Sequence, residues 1–206
     1  MSIPELEKNL ADARTRLAEV LHPSLSVPAS MAAFEAVSAA QRALAAEKKE
    51  EYADCLDIGF MPEAAVSEPV LLQTDYAAIL SFSAVREKAD GTYEDVGYGV
   101  LEFDSCSLTK FGYPNDEALA GHPLYERGLS CYGVFEVKNS TWIRLMTEQN
   151  RVAFPGTPES NERHFIVTFH ESTFECIARG VHASLSSKPY AELFDEIRMR
   201  VFKQAR

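Results

Sequence analysis

The sequence predicts an α+β protein: an antiparallel β-sheet with helices packed on one face, preceded by an N-terminal helical hairpin. Three observations predict this class. Apolar residues recur at helical spacing near both ends of the chain. Residues 76–86 and 92–104 read as two strands joined by a turn at Asp90-Gly91, a dipeptide that suits hairpins. Residues 164–182 read as a second β-hairpin.

The N-terminal helices are predicted at residues 3–21 and from about Ala29 or Ser30 to near Tyr52. His22-Pro23 should end the first helix, because the residue before a proline avoids the α conformation. The sequence thus divides into a helical pair at 1–56 and an α+β domain at 57–206. The pair either caps that domain or joins a second copy in a homodimer.

The middle of the chain is predicted to be less regular. Residues 57–75 contain glycine and two prolines and read as irregular, and residues 105–131 read as a long ordered connection. Asn115 or Asp116 could cap one short helix there. A short strand is expected at 132–137.

Two further helices follow from capping and spacing. Asn139 or Ser140 is the predicted N-cap of a helix at 141–150. The last helix, at 189–203, carries an apolar stripe and should pack on a sheet.

The hairpin at 164–182 is the most informative segment. A turn at Glu171-Ser172 would place Phe169 opposite Phe174, and alternate side chains then fall on opposite faces. One face is apolar and consists of Phe165, Val167, Phe169, Phe174, Cys176 and Ala178. The other face carries His164, Thr168, His170, Glu175 and Arg179.

Composition excludes several functional classes. The 206 residues carry a formal charge of -11, which argues against a nucleic-acid-binding surface and against anionic membranes. No apolar run follows Met1, and none approaches the ~18 residues of a transmembrane helix. The four cysteines lack a C-x-x-C spacing. These features predict a cytoplasmic protein with free thiols.

The polar hairpin face is the first candidate site. Imidazole and carboxylate groups at cross-strand range can act as a general base or bind a metal, which makes His170 and Glu175 the weak candidates for such chemistry. His164 and His170 lie ~20 Å apart along one strand and cannot share an ion, so His122 would have to supply a third ligand. The alternative is a solvated sheet face.

The long connection is the second candidate site, with Tyr113, Asn115, Asp116, His122 and Tyr125. The alternative is a structural loop whose aromatic side chains pack on the core. A nucleophilic Cys106 or Cys131 would need a base that the local sequence does not supply. The chain also lacks G-x-S-x-G, G-x-G-x-x-G, P-loop and H-E-x-x-H motifs, and no cofactor is predicted.

Three functional hypotheses follow. The first is a non-catalytic domain that holds a small ligand or a protein partner between the polar hairpin face and the 111–125 loop. The second is an acidic interaction or immunity-type protein that neutralises a basic partner. The third is a small hydrolase or metal-assisted enzyme that uses His170 and Glu175 with His122.

Overall fold

The computed structural model describes residues 1–21, 27–75 and 77–204, without the side chains of 27–28 and 202–204. Within these residues the chain forms four α-helices and two antiparallel β-sheets, which confirms the predicted α+β class. The helices are α1 (Ile3–Val20), α2 (Val27–Lys48), α3 (Thr141–Ala153) and α4 (Tyr190–Gln204). The strands are β1 (Tyr52–Cys55), β2 (Met61–Pro62), β3 (Val70–Gln73), β4 (Ala77–Glu87), β5 (Tyr93–Asp104), β6 (Leu108–Gly112), β7 (Val134–Lys138), β8 (Arg163–Thr168), β9 (Thr173–Ala178) and β10 (Gly180–Ser186).

The strands divide between the sheets without following chain order. The first sheet has the order β1-β7-β8-β9-β6, and the second has β10-β5-β4-β2 with β3 also paired to β4. The chain passes from the first sheet to the second between β1 and β2, and again at Arg179, between β9 and β10. No helix in the described part of the chain is long and apolar enough to cross a membrane.

The main core lies between the two sheets. The six residues predicted to form the apolar hairpin face are all buried there, against β4 and β5. Phe103 of β5 has its ring centroid 5.7 Å from that of Phe165 and 5.3 Å from that of Phe174. The apolar face of the hairpin therefore packs on a second sheet, and its polar face becomes the outer surface of the first sheet.

The predicted pairing of Phe169 with Phe174 is wrong by two residues. Val167 lies opposite Phe174 instead, and Thr168 lies opposite Thr173. The turn falls at His170-Glu171, because the Phe169 N–H donates to the Ser172 carbonyl oxygen at 2.8 Å. Since side chains alternate with a period of two, a shift of two residues leaves the composition of both faces unchanged.

Hydrogen bonds to the long connection explain this register. The Thr168 hydroxyl donates to the Ser130 carbonyl oxygen at 2.9 Å, and the Thr173 hydroxyl donates to that of Pro114 at 2.9 Å. Placing the two threonines opposite each other lets both buried hydroxyls find acceptors on the segment that covers them.

Helices and loops cover the outer faces. Leu193, Ile197 and Val201 of α4 pack on the second sheet, as their spacing predicts. Residues 113–131 cover the first sheet, where Leu119, Leu124 and Leu129 share a cluster with sheet residues. The predicted pairing of the N-terminal helices is confirmed, with Leu6, Leu10, Val37 and Leu44 buried between α1 and α2. The α2 helix also contacts the loop at 125–127 and strand β1.

Several boundaries differ from the prediction. The α2 helix ends at Lys48, and Tyr52, expected near the helix end, begins β1. Lys49 adopts a φ of 55°, which stops the helix despite the charged residues that follow. Short strands also occupy segments expected to be irregular, namely β2, β3 and β6. His22-Pro23 and Tyr76 lie outside the described residues.

Candidate functional site

The polar face of the first sheet contains a small cavity beneath the long connection and the start of α3. Its volume is about 270 Å³, and strands β6, β8 and β9 form its floor. We call it the histidine pocket. It is lined by Glu51, Lys110, His122, Pro123, Leu124, Thr141, Trp142, His164 and Glu175.

Glu175 is the buried acid of the histidine pocket. Only 7% of the residue is exposed, and its Oε1 accepts a hydrogen bond from Lys110 Nζ at 2.7 Å. Burial raises the pKa of Glu175, but the neighbouring His164 and Lys110 outweigh that effect and bring the pKa to about 2. The carboxylate is therefore ionised over the whole neutral range.

His164 lies between Glu175 and the start of α3. It is 4% exposed, and its Nε2 lies 3.5 Å from Glu175 Oε2 without a hydrogen bond of regular geometry. Its Nδ1 lies 2.9 Å from Ser140 Oγ, which also accepts the Ile143 N–H at 3.2 Å. Ser140 can donate its own proton to Nδ1 when that nitrogen carries none, and the ring proton then lies on Nε2, facing the carboxylate.

His122 enters the pocket from the long connection. The Leu124 N–H donates to its Nδ1 at 3.2 Å, which leaves the ring proton on Nε2. Burial lowers the pKa of His122, and the ring is therefore neutral at pH 7. His122 thus offers one N–H donor, and the backbone N–H of Leu124 holds its ring in position.

The remaining wall combines an aromatic ring with a second acid. The ring of Trp142 meets that of His164 edge to face, with centroids 5.2 Å apart. The Glu51 carboxylate accepts the Thr141 N–H at the start of α3. Apart from its histidines, the lining has two acids, Glu51 and Glu175, and one basic side chain, Lys110.

His170 and Asp116, two other predicted site residues, form a separate pair at the hairpin tip. His170 Nδ1 lies 2.8 Å from Asp116 Oδ2, which also accepts the Tyr132 hydroxyl. The hydrogen bond to Asp116 raises the pKa of His170. His170 does not line the histidine pocket, so the predicted trio of His170, Glu175 and His122 is not assembled there.

The other predicted residues are dispersed. Thr168 is buried beneath the Ser130 carbonyl, whereas Tyr113 and Arg179 are exposed. Asn115 Oδ1 accepts the Ala118 N–H at 3.2 Å within the connection. Tyr125 lines a larger, mostly apolar cavity of about 680 Å³ between α2 and the first sheet. The structure therefore brings together His122, His164 and Glu175 among the predicted site residues.

Sequence reasoning missed four members of the site. Lys110 reaches Glu175 because β6 pairs with β9, a pairing that no local pattern indicates. The sequence predicts Ser140 only as a possible helix cap, Trp142 only as part of the helix at 141–150, and Glu51 only as part of the helix that ends near Tyr52. For Ser140 the capping pattern was a correct signal, but it contained no information about His164.

The described residues contain no group of three or more His, Cys, Asp or Glu side chains placed to hold a metal ion. Comparison with known protein families, curated proteins and solved structures found no match to this chain.

Proposed function

We propose that this chain is a binding domain whose histidine pocket holds a small ligand with a compact cationic group, an ammonium or a guanidinium. The observation that carries the proposal is Glu175, an ionised carboxylate buried at the wall of a cavity beside an aromatic ring. A carboxylate in a desolvated site attracts a cation more strongly than one in water does.

Lys110 occupies the place that the ligand cation would take. Its side chain is 54% exposed, and it contacts Glu175 Oε1 from the solvent side. The flexible Lys110 side chain can turn into water, and a ligand cation can then replace it against the carboxylate. A guanidinium would do so with two parallel hydrogen bonds.

Two further features support the same ligand class. Trp142 contributes an indole ring to the lining, and cations bind favourably to indole rings. His122 offers an N–H donor, which suits a hydrogen-bond acceptor next to the cationic group. The volume of about 270 Å³ is below the usual range for drug-sized ligands and indicates a smaller molecule.

The proposal can be tested by tryptophan fluorescence, because Trp142 is the one tryptophan of the chain. Methylguanidinium should change the emission in a saturable manner, whereas methylurea, its neutral isostere, should leave it unchanged. Glu175→Gln should abolish the response, and Glu171→Gln, at the exposed hairpin tip, should preserve it. An equal response to both compounds, or no response to either, would refute the proposal.

A further inference from the structure

Ser140 lies between the histidine pocket and a second cavity. This second cavity, which we call the α3 cavity, has a volume of about 470 Å³, and Ser140 forms part of its wall. On the other side, the Ser140 hydroxyl reaches His164, which lines the histidine pocket. Ser140 thus lies between a polar cavity and a buried imidazole.

Ser140, His164 and Glu175 form a continuous series of polar contacts from three separate elements. The Ser140 Oγ to His164 Nδ1 distance is 2.9 Å, and the His164 Nε2 to Glu175 Oε2 distance is 3.5 Å. A hydroxyl, an imidazole and an ionised carboxylate in this order are the groups that activate a serine for acyl transfer. The serine contacts Nδ1 here, and the acid faces Nε2.

Helix capping alone does not account for this arrangement. As the N-cap of α3, Ser140 needs only to accept the Ile143 N–H. The cap does not require an imidazole that is 4% exposed and whose Nε2 lacks a regular hydrogen bond. The position does favour negative charge on Oγ, because the start of a helix is its positive end.

The same helix start has a backbone N–H that no hydrogen bond of the described residues uses. The Thr141 N–H is used by Glu51 and the Ile143 N–H by Ser140 Oγ. Among the hydrogen bonds of the described residues, none uses the N–H of Trp142, the second residue of α3. Backbone donors at such a position stabilise the tetrahedral intermediate of acyl transfer.

The lining of the α3 cavity favours an anionic substrate. It contains Lys49, Arg144 and Arg151, against the acids Glu148 and Glu159. Those acids lie 4.0 Å from Arg144 and 3.3 Å from Arg151, so the lining keeps an excess of one positive charge. This excess occurs in a chain whose formal charge is -11.

We propose that Ser140 is a nucleophile that accepts the acyl group of a small anionic ester, with His164 as its general base. Ser140 Oγ attacks the carbonyl carbon, and its proton passes to His164 Nδ1. The bond from the carbonyl carbon to the alkoxide oxygen of the ester breaks, and the leaving alkoxide takes the proton from His164 Nδ1. His164 then takes a proton from a water molecule, which attacks the acyl carbon. The bond from that carbon to Ser140 Oγ breaks, Oγ takes the proton back from His164, and the acid leaves. Glu175 is a positioning residue that faces the imidazolium. This activity goes beyond ligand binding in the histidine pocket.

The test uses p-nitrophenyl hemisuccinate, an anionic ester, with mapping of the acylated peptide by mass spectrometry. The intact chain should release nitrophenol and carry succinyl on Ser140. Ser140→Asn keeps a capping side chain but has no hydroxyl, and it should lower the rate at least ~100-fold. Ser184→Ala, at an exposed serine of β10, should leave it unchanged. Acylation of other residues only, or a Ser140→Asn rate equal to that of the unmodified chain, would overturn the proposal.

A second readout separates positioning from folding. Glu175→Gln should move the acid limb of the pH–rate profile to lower pH, because the imidazolium loses its carboxylate. Lys110, His122 and Glu51 are the other charged or titratable side chains that line the pocket with His164, and they stay in place. A lower rate with an unchanged pH–rate profile would contradict the role of Glu175.

Ser140→Asn leaves Glu175 and Trp142 unchanged. If this variant keeps the fluorescence response to methylguanidinium, failure of acyl transfer can be distinguished from failure of ligand binding.

Discussion

His164 Nδ1 lies 2.9 Å from Ser140 Oγ, and both residues are buried. This contact joins the N-cap of α3 to the polar face of β8, beside the pocket that Glu175 and Trp142 line. The helix start and the histidine pocket therefore depend on the same side chains. Loss of either partner should be measurable as loss of stability as well as of function.

Ser140→Ala should lower the free energy of unfolding by about 1–3 kcal/mol, because it removes the N-cap of α3 and leaves His164 Nδ1 without its partner. Ser140→Asn should lower it by less, since asparagine caps helices about as well as serine does. Urea denaturation of the variants measures both values. Equal losses would show that the cap contributes little.

Acid should destabilise the protein through Glu175. Its pKa is about 2 in the folded chain against an ordinary value of 4.5, so the unfolded chain takes up the proton first. The resulting stabilisation, ~3 kcal/mol, is present above pH 4.5 and is lost as the pH falls toward 2. Denaturation at several pH values should show a shallower decline for Glu175→Gln than for the unmodified chain. Identical slopes would mean that Glu175 is not held ionised by its neighbours.

His170 should show the opposite dependence. Asp116 raises the pKa of His170 above its ordinary 6.5, so their contact stabilises the fold fully below that value. The contribution is lost as the pH rises through the raised pKa. Proton NMR titration of the imidazole should give a lower midpoint in Asp116→Asn than in the unmodified chain. An unchanged midpoint would show that the two side chains are not paired in solution.

Gly128→Ala should loosen the contact between α2 and the first sheet. Gly128 has a φ of 106°, and an added Cβ would lie 2.1 Å from the Ala53 carbonyl oxygen and 2.4 Å from Arg42 Cδ. We expect a loss of about 1–3 kcal/mol and faster hydrogen exchange in α2. Gly156→Ala is the matched control, because Gly156 has a φ of 94° and open space around it. Equal effects of the two variants would show that only backbone strain matters.

The composition of the hairpin faces could be predicted from the sequence, whereas its register could not. Alternation fixes which residues share a face, and any even shift satisfies it equally. The choice among those registers depends on Thr168 and Thr173, whose hydroxyls find acceptors on a distant loop. That information is tertiary and has no local signature.

For the candidate site too, the sequence predicts single residues, whereas their grouping depends on the fold. Capping rules place the start of α3 at Asn139 or Ser140, but His164, the partner of Ser140, is 24 residues away on another element. Lys110 joins the site through β6, a five-residue edge strand that is too short for its periodicity to be distinguished from a loop. The predicted set contained His122, His164 and Glu175, but their grouping required the two-sheet topology.

A crystal structure of the chain with methylguanidinium tests the central claim most directly. The account predicts the guanidinium within the histidine pocket, paired with the Glu175 carboxylate, with the Lys110 side chain displaced toward solvent. A structure in which Lys110 keeps its contact with Glu175 while methylguanidinium is absent from the pocket at saturating concentration would contradict it.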